Sequence, residues 1–316
     1  MKLWDLLWRS DLTEKFVLQK FLCNFLQCSR EELRTTMDRE ISDEIIQKVL
    51  VAYKSYVEDK KPLEYILGHV DFFGREFIVN EATLIPRPET EYMITAVTEY
   101  INEKWKMNNE KWMNLLLDIG TGCGVLWISV LLQNPDFFSR AIFSDYYANA
   151  LEVAKINYQT LITSQWLMTN EQWPIKVDFL QSDLLDFIKD WNIETLKDWS
   201  IVLVANLPYI PEEMFESNVS DNVKKWEPKP AFVWWDDGLD YYKIMLDQIL
   251  KLVESRKYKV ESKNQHSPFS FLPIVMFLEM MTWQVDVLRQ LYDEDFIFEE
   301  VKTFHFNIRI LKVTLK

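Results

Sequence analysis

Two short runs of this chain carry residue types and spacings that can do chemistry. In Asp118-Ile-Gly-Thr-Gly-Cys-Gly124, glycines at 120, 122 and 124 alternate with Thr121 and Cys123. Lacking a Cβ, such a turn lets the backbone approach a ligand closely, and a helix beginning behind it presents free N–H groups. Asp145, ending the next apolar run, can accept hydrogen bonds from both hydroxyls of a ribose. Asp118 can pair with an amino group. Asp183, in Gln181-Ser-Asp-Leu184, can accept from an adenine amino group with Leu184 covering the ring, or can simply cap a helix. Glycine at alternate positions after an acid suits S-adenosyl-L-methionine better than a dinucleotide. Cys123 reads as packing within the turn rather than as a reactive thiol.

The second run is Val204-Ala-Asn-Leu-Pro-Tyr-Ile-Pro211. Asn206 at the end of a buried strand projects a carboxamide into the crevice where α/β sheets bind ligands. A planar amide or amino nitrogen is a poor nucleophile because its lone pair is delocalised. Asn206 Oδ1 and the carbonyl of Leu207 can accept its two N–H bonds, and Tyr209 can hold the planar group by stacking. That is catalysis by positioning and hydrogen bonding, with no strong base. Taken alone, the run also reads as a Pro-containing turn that closes a strand.

The elements that must carry these runs follow from apolar periodicity. Up to about residue 70 the chain reads as helices, with Ser42 and Asp43 as candidate N-caps for the stretch that includes Ile45, Ile46, Val49, Leu50 and Tyr53. Residues 72–85 look extended, with Gly74 at a turn. Strand candidates at 115–119, 141–145, 177–180 and 201–205 alternate with helical stretches at 125–132 and 148–158, the signature of a parallel sheet covered on both faces. Residues 254–270 read as a polar surface loop. Late strands follow at 273–278, 296–301 and 304–315, the last two near enough for an antiparallel hairpin.

Composition sets outer bounds. The chain has 316 residues, 48% hydrophobic and 27% charged, which excludes extended disorder. A net charge of −14 argues against clamping nucleic-acid phosphate, and no apolar run reaches the length of a membrane span. Three cysteines make no disulfide framework, no Cys/His cluster has zinc spacing, and no metal is expected. With no signal-peptide core at the N-terminus, the expected location is the cytoplasm.

Only 6 glycines occur, where about 7% usage predicts roughly 22, alongside 13 tryptophans. Several tryptophans sit where glycine suits the backbone. Two readings stand: glycine codons decoded as tryptophan, or a chain truly rich in aromatics.

Taken together, the runs resemble the peptide-chain-release-factor glutamine N5-methyltransferases (the HemK/PrmC family). The resemblance is carried by Pro62-Leu-Glu-Tyr-Ile-Leu-Gly68, Phe72-Phe-Gly74, Ile85-Pro-Arg-Pro-Glu-Thr-Glu91, Asp118–Gly124, Asn206–Tyr209, Glu227-Pro228 and Asp237-Gly-Leu239, with Glu279 and Gln284 also fitting. It implies an α/β fold: a Rossmann-like class I methyltransferase sheet of seven strands with a terminal antiparallel hairpin, and a small N-terminal helical domain. The implied division is a helical docking domain (1–70), a linker hairpin with the Pro-Arg-Pro-Glu-Thr-Glu segment (71–92), and an S-adenosyl-L-methionine-dependent domain (93–316).

The implied reaction moves a methyl group to the side-chain amide nitrogen of the glutamine in a Gly-Gly-Gln loop of release factors. Asp118, Gly120, Thr121, Gly122, Cys123, Gly124, Asp145, Asp183, Leu184 and Asn206 would hold the cofactor. Asn206, Pro208 and Tyr209 would be catalytic. Asn206, Leu207, Pro208, Tyr209, Arg87 and Glu89 would meet the substrate, with Arg87 and Glu89 alternatively a structural ion pair. The partner is a release factor, with no direct nucleic-acid or membrane contact and a monomeric enzyme expected. Rival readings are a ribosomal-protein glutamine methyltransferase, an amino methyltransferase of nucleobases, and a non-catalytic relative that binds the cofactor. The sequence departs from the family's pattern at Leu207, usually Pro, at Trp234-Trp235 and Met281, usually Gly, and at Trp127, usually small.

Overall fold

The computed structural model describes residues 1–107, 113–163, 175–190, 199–233, 237–262, 273–301 and 308–316. Five helices fill the first part: Leu3–Leu7, Lys15–Leu26, Arg30–Thr35, Asp43–Val57 and Leu63–Leu67. Their starts are written locally. Ser42 caps the fourth by accepting the Ile45 N–H at 3.4 Å, while Asp43, the other candidate, is its first residue, where a negative charge meets the positive end of the helix. Ser29 and Glu32 form a reciprocal capping box on the third. Leu18, Phe21, Leu22, Leu33 and Val49 bury their side chains in a core of their own.

Next comes a hairpin of β1 (His69–Phe72) and β2 (Arg75–Ile78). The extended reading of 72–85 with a turn at Gly74 holds as far as Ile78, and residues 81–83 turn instead of continuing a strand. Phe73 and Gly74 make a tight turn with φ of 48° and 73°, and pairing ends at Ile78. Asn157, almost fully buried, docks this hairpin. Its amide exchanges two hydrogen bonds with the Ile78 backbone (2.7 and 2.9 Å) and donates a third to the Cys123 carbonyl at 2.8 Å.

The main sheet comprises β3 (Met113–Ile119), β4 (Arg140–Asp145), β5 (Lys176–Gln181), β6 (Trp199–Ala205), β7 (Ile274–Met281), β8 (Phe296–Val301) and β9 (Ile308–Leu315). Its order is β5-β4-β3-β6-β7-β9-β8, parallel except for β9, which runs antiparallel to both β7 and β8. This is the seven-stranded sheet with a terminal antiparallel hairpin that the sequence leads one to expect. Alternate strand residues supply two cores. Leu116, Val202, Val204 and Phe277 face one, and Leu115, Leu117, Leu203 and Met276 face the other.

Helices Glu91–Met107, Val125–Gln133, Ala148–Tyr158, Asp240–Ser262 and Thr282–Tyr292 flank the sheet. Residues 254–262 extend the fourth of these, so the polar stretch read as a loop from 254 is helical there; 263–270 lie outside the described residues. Among the described residues, no helix is long and apolar enough to cross a membrane.

Trp127 is wholly buried and its ring lies on Phe143 with centroids 3.3 Å apart and planes 14° apart, far closer than the usual 4.5–7 Å. Its Nε1–H has no hydrogen-bond partner and lies 2.9 Å from where a Cβ on Gly124 would stand. An orphaned donor and an overpacked ring both cost stability. This is the crowding expected of a large side chain at a small-residue position. Trp234 and Trp235 lie outside the described residues. Trp127→Ala is expected to raise the melting temperature by about 2–4 °C in thermal unfolding. A loss of about 3 kcal/mol or more, typical of an aromatic cavity, would mean that the indole fills space the fold needs.

Candidate active site

The site is made by strand pairing. β3 and β6 lie side by side in parallel with Ile119 opposite Ala205. Gly120 and Asn206 therefore leave the same edge of the sheet as neighbours. This edge is where the strand order reverses, since β4 and β5 continue from one side of β3 while β6 and β7 continue from the other. The contact is direct: a Cβ on Gly120 would come within 2.9 Å of Leu207 Cδ2.

The glycine turn is pinned from below. The N–H groups of Gly120 and Thr121 both donate to the Ser144 carbonyl on β4, at 2.9 and 3.0 Å. Gly120, Gly122 and Gly124 have φ of 71°, 56° and 85°, which L side chains rarely adopt. Asp145 holds the turn from β4, with Oδ2 accepting the Gly122 N–H and Oδ1 the Tyr147 N–H, both at 2.9 Å. Burial pushes its carboxyl up, against those backbone bonds.

A cavity of about 280 Å³ opens above this turn. Gly120, Thr121, Gly122, Cys123, Asp145, Asp183 and Leu184 line one part of it, and Arg87, Asn206, Leu207 and Pro208 another. Tyr146, Tyr147 and Tyr241 add aromatic surface. Asp118, Gly124, Glu89 and Tyr209 are not in the lining. Asp118 is fully buried at the base of the turn. Its Oδ2 accepts from Thr121 Oγ1 at 2.9 Å, its Oδ1 has no partner, and burial pushes it up to about 7. The Cys123 thiol is pushed up to about 12 by burial, consistent with packing.

These residues fit a cofactor carrying an amino group, a ribose and an adenine. An orphaned carboxylate oxygen sits at the base of the turn, the space at Gly122 is open, and Asp183 and Leu184 stand beyond Asp145.

The second loop is held from several segments. Asn206 Nδ2 donates to Thr90 Oγ1 at 3.2 Å. Burial pushes Glu279, on β7, up to about 7 against hydrogen bonds from Thr90, Tyr209 and Asn206. The Tyr209 hydroxyl donates to Glu279 Oε1 at 3.1 Å. With Nδ2 engaged on this side, the oxygen Oδ1 is the acceptor end of the Asn206 amide. Tyr242 donates its hydroxyl proton to the Glu279 carbonyl, accepts the Leu207 N–H at 3.2 Å and stands 3.4 Å from the Leu207 carbonyl oxygen, which has a second lone pair.

Gln284, fully buried, donates from Nε2 to the carbonyls of Tyr209 (2.8 Å) and Asp237 (2.9 Å) and accepts the Met281 N–H. Gly238 is required here, because a Cβ would fall 2.2 Å from the Tyr209 carbonyl oxygen. Met281 is not strained: its φ is −73°, which any residue adopts.

Arg87 pairs with Glu227 (2.7 Å) and not with Glu89, which corrects the alternative of an Arg87–Glu89 ion pair. The other oxygen of Glu227 accepts the Ile85 N–H at 3.1 Å, so one buried carboxylate fixes the start of the Pro-Arg-Pro-Glu-Thr-Glu segment. Thr90 and Tyr242 had no sequence signal of their own beyond membership of that segment and of an amphipathic helix.

The chain is 35% identical over 235 residues to the release factor glutamine methyltransferase of Bacillus anthracis, covering 74% of each chain. It is 32% identical over 232 residues to the enzyme of the same name from Bacillus subtilis, covering 72% of each. Among solved structures, the human METTL16 catalytic domain in complex with an RNA hairpin aligns with a TM-score of 0.50 at 14% identity, over 86% of this chain and 82% of that one. That likeness concerns the fold alone. No protein-family model matches the chain.

Asp118 and Glu279 both have folded pKa values above those of free carboxyls near 4. The stability they contribute is complete below about pH 4 and is lost as pH rises through about 7. Denaturant unfolding of the ligand-free chain is expected to show stability falling between about pH 4 and 7. The double variant Asp118→Asn, Glu279→Gln should flatten that slope, and an unchanged slope would assign it to other groups.

Proposed function

We infer the chemistry from one premise: the chain belongs to the release factor glutamine methyltransferase family. It is a protein-glutamine methyltransferase that acts on peptide chain release factors, in a family that uses S-adenosyl-L-methionine. The observation that carries the reading is the contact between Gly120 and Leu207 at paired strand ends, which sets a cofactor turn against a carboxamide-binding loop.

When bound, S-adenosyl-L-methionine supplies a methyl group on a sulfonium centre. In our reading, the unpartnered Oδ1 of Asp118 takes the amino group of the donor, Asp145 the ribose hydroxyls, and Asp183 with Leu184 the adenine. Asn206 Oδ1 and the Leu207 carbonyl accept the two N–H bonds of the incoming glutamine amide. They hold its nitrogen toward the methyl and favour the form with a localised lone pair. Tyr209, anchored by Glu279, keeps the Asn-Leu-Pro-Tyr loop in register, and Pro208 stiffens it. Arg87, fixed by Glu227, presents its remaining donors at the cavity wall to the peptide around the glutamine. Residues 1–70 serve as the docking domain, 71–92 as the linker and 93–316 as the catalytic domain, acting in the cytoplasm as a monomer.

Incubation with labelled cofactor and release factor, followed by mapping of the modified residue, tests the assignment. Label on the glutamine of the Gly-Gly-Gln loop is expected; label on a ribosomal protein and none on the release factor would move the enzyme to the sister activity. Asn206→Ala should lower turnover by about a thousandfold while cofactor affinity changes by less than about threefold. Unchanged turnover would remove Asn206 from the chemistry. As pH rises toward 7 and Asp118 ionises, cofactor affinity should tighten by up to about tenfold per pH unit, and Asp118→Asn should abolish that dependence in calorimetric titration. A pH-independent affinity in the parent chain would detach Asp118 from the amino group.

A further inference from the structure

A second concavity of about 630 Å³ lies between the helices of the first part and the β1–β2 hairpin, and it shares no lining residue with the cofactor cavity. Two of the chain's three cysteines, Cys23 and Cys28, line it, together with Lys20, Arg30, His69 and Glu76. Both thiols are free and partly exposed, whereas Cys123 is buried.

The backbone brings the two together. Helix Lys15–Leu26 ends with Gln27 in the left-handed conformation (φ 50°). The Gln27 N–H bonds to the Asn24 carbonyl at 3.3 Å and the Cys28 N–H to the Cys23 carbonyl at 3.0 Å. That pair of bonds defines a Schellman motif, in which the side chains at the positions of Cys23 and Cys28 normally make an apolar contact across the turn. Here both of those positions are cysteines, and Cys28 beside Cys23 helps to raise the Cys23 thiol. The 3.0 Å hydrogen bond between their backbones keeps the two residues next to each other, the closeness a disulfide requires.

We propose that Cys23 and Cys28 are a dithiol modification site that closes reversibly to an intramolecular disulfide at the mouth of this groove. The oxidant is a small-molecule disulfide. One protein thiolate attacks an oxidant sulfur and expels a thiol, giving a mixed disulfide; the other protein thiolate attacks the protein sulfur of that bond and expels the second thiol. Two protein thiols thus lose two electrons and two protons, and the oxidant gains them as two thiols. Burial pushes the Cys23 thiol up, aided by its contact with Cys28. Cys23 is therefore slow toward one-step alkylation at neutral pH, while the turn preorganises the two residues for ring closure. In a reducing cytosol such a pair is open at rest and closes under oxidative load.

The test equilibrates the full chain in reduced and oxidised glutathione, traps free thiols by alkylation and maps peptides by mass spectrometry. A Cys23–Cys28 link with Cys123 still alkylatable only after unfolding is expected. It should be reversed by dithiothreitol and require an oxidised-to-reduced ratio about tenfold lower than the same chain in guanidinium, because the fold raises the effective concentration of the second thiol. Cofactor affinity should be the same in both states, since the groove is separate. Cys28→Ser should leave Cys23 reduced or singly glutathionylated, with no internal link. Full alkylation of both thiols at ratios that oxidise the unfolded chain, or disulfide-linked dimers in place of the internal bond, would overturn the proposal.

Discussion

The parallel register between β3 and β6 is the constraint from which the rest of the site follows. Placing Ile119 opposite Ala205 makes Gly120 and Asn206 neighbours at one edge, although 86 positions separate them in sequence. A slip of one residue would turn Leu115 and Leu117 from one core to the other and reverse every facing side chain. The register is held by burial on both faces, because every residue from Leu115 to Ile119 and from Ile201 to Ala205 is buried. The site therefore inherits its geometry from the least deformable part of the molecule.

Above that edge, order comes from buried polar groups, each of which ties distant segments. Glu227 joins Ile85 and Arg87, Gln284 joins Tyr209, Asp237 and Met281, Asn157 joins the hairpin to the glycine turn, and Glu279 on β7 holds Tyr209 through one of its two oxygens. An unsatisfied buried group costs more than a satisfied one returns, so each carboxylate or amide selects a single arrangement of the backbone around it. The cost is concentrated in Asp118 and Glu279, whose burial outweighs their hydrogen bonds. Asp118, with an orphaned oxygen, is a poor solution for stability.

Much of this was legible in the sequence because it is local. Alternating apolar strands, the glycine turn, Ser42 as a cap and the Asn-Leu-Pro-Tyr run each declare themselves within a few residues. What was not legible is long-range. Nothing in the neighbourhood of Thr90 or Tyr242 says that one would orient Asn206 and the other would anchor Leu207. The pairing of Arg87 with Glu227 spans 140 positions, so the nearer Glu89 was the natural local guess. The polar run from 254 misled for a related reason: polar residue types alone do not separate the end of a helix from a loop. Met281 shows the reverse error, since a position usually held by glycine need not demand its conformational freedom.

Leu207 shows how the fold accommodates a departure from its family's pattern. Proline there would fix φ, and leucine gives up that constraint. Leucine, however, has the N–H that proline lacks, and the Tyr242 hydroxyl accepts it at 3.2 Å. The same hydroxyl donates onward to the Glu279 carbonyl, so the bond at 207 is linked to the strand that anchors Tyr209. The leucine side chain is buried and takes the space that Gly120 leaves open, so the cofactor turn and the amide-gripping loop pack on each other directly. A covalent restraint on one dihedral is replaced by a hydrogen bond and an apolar contact.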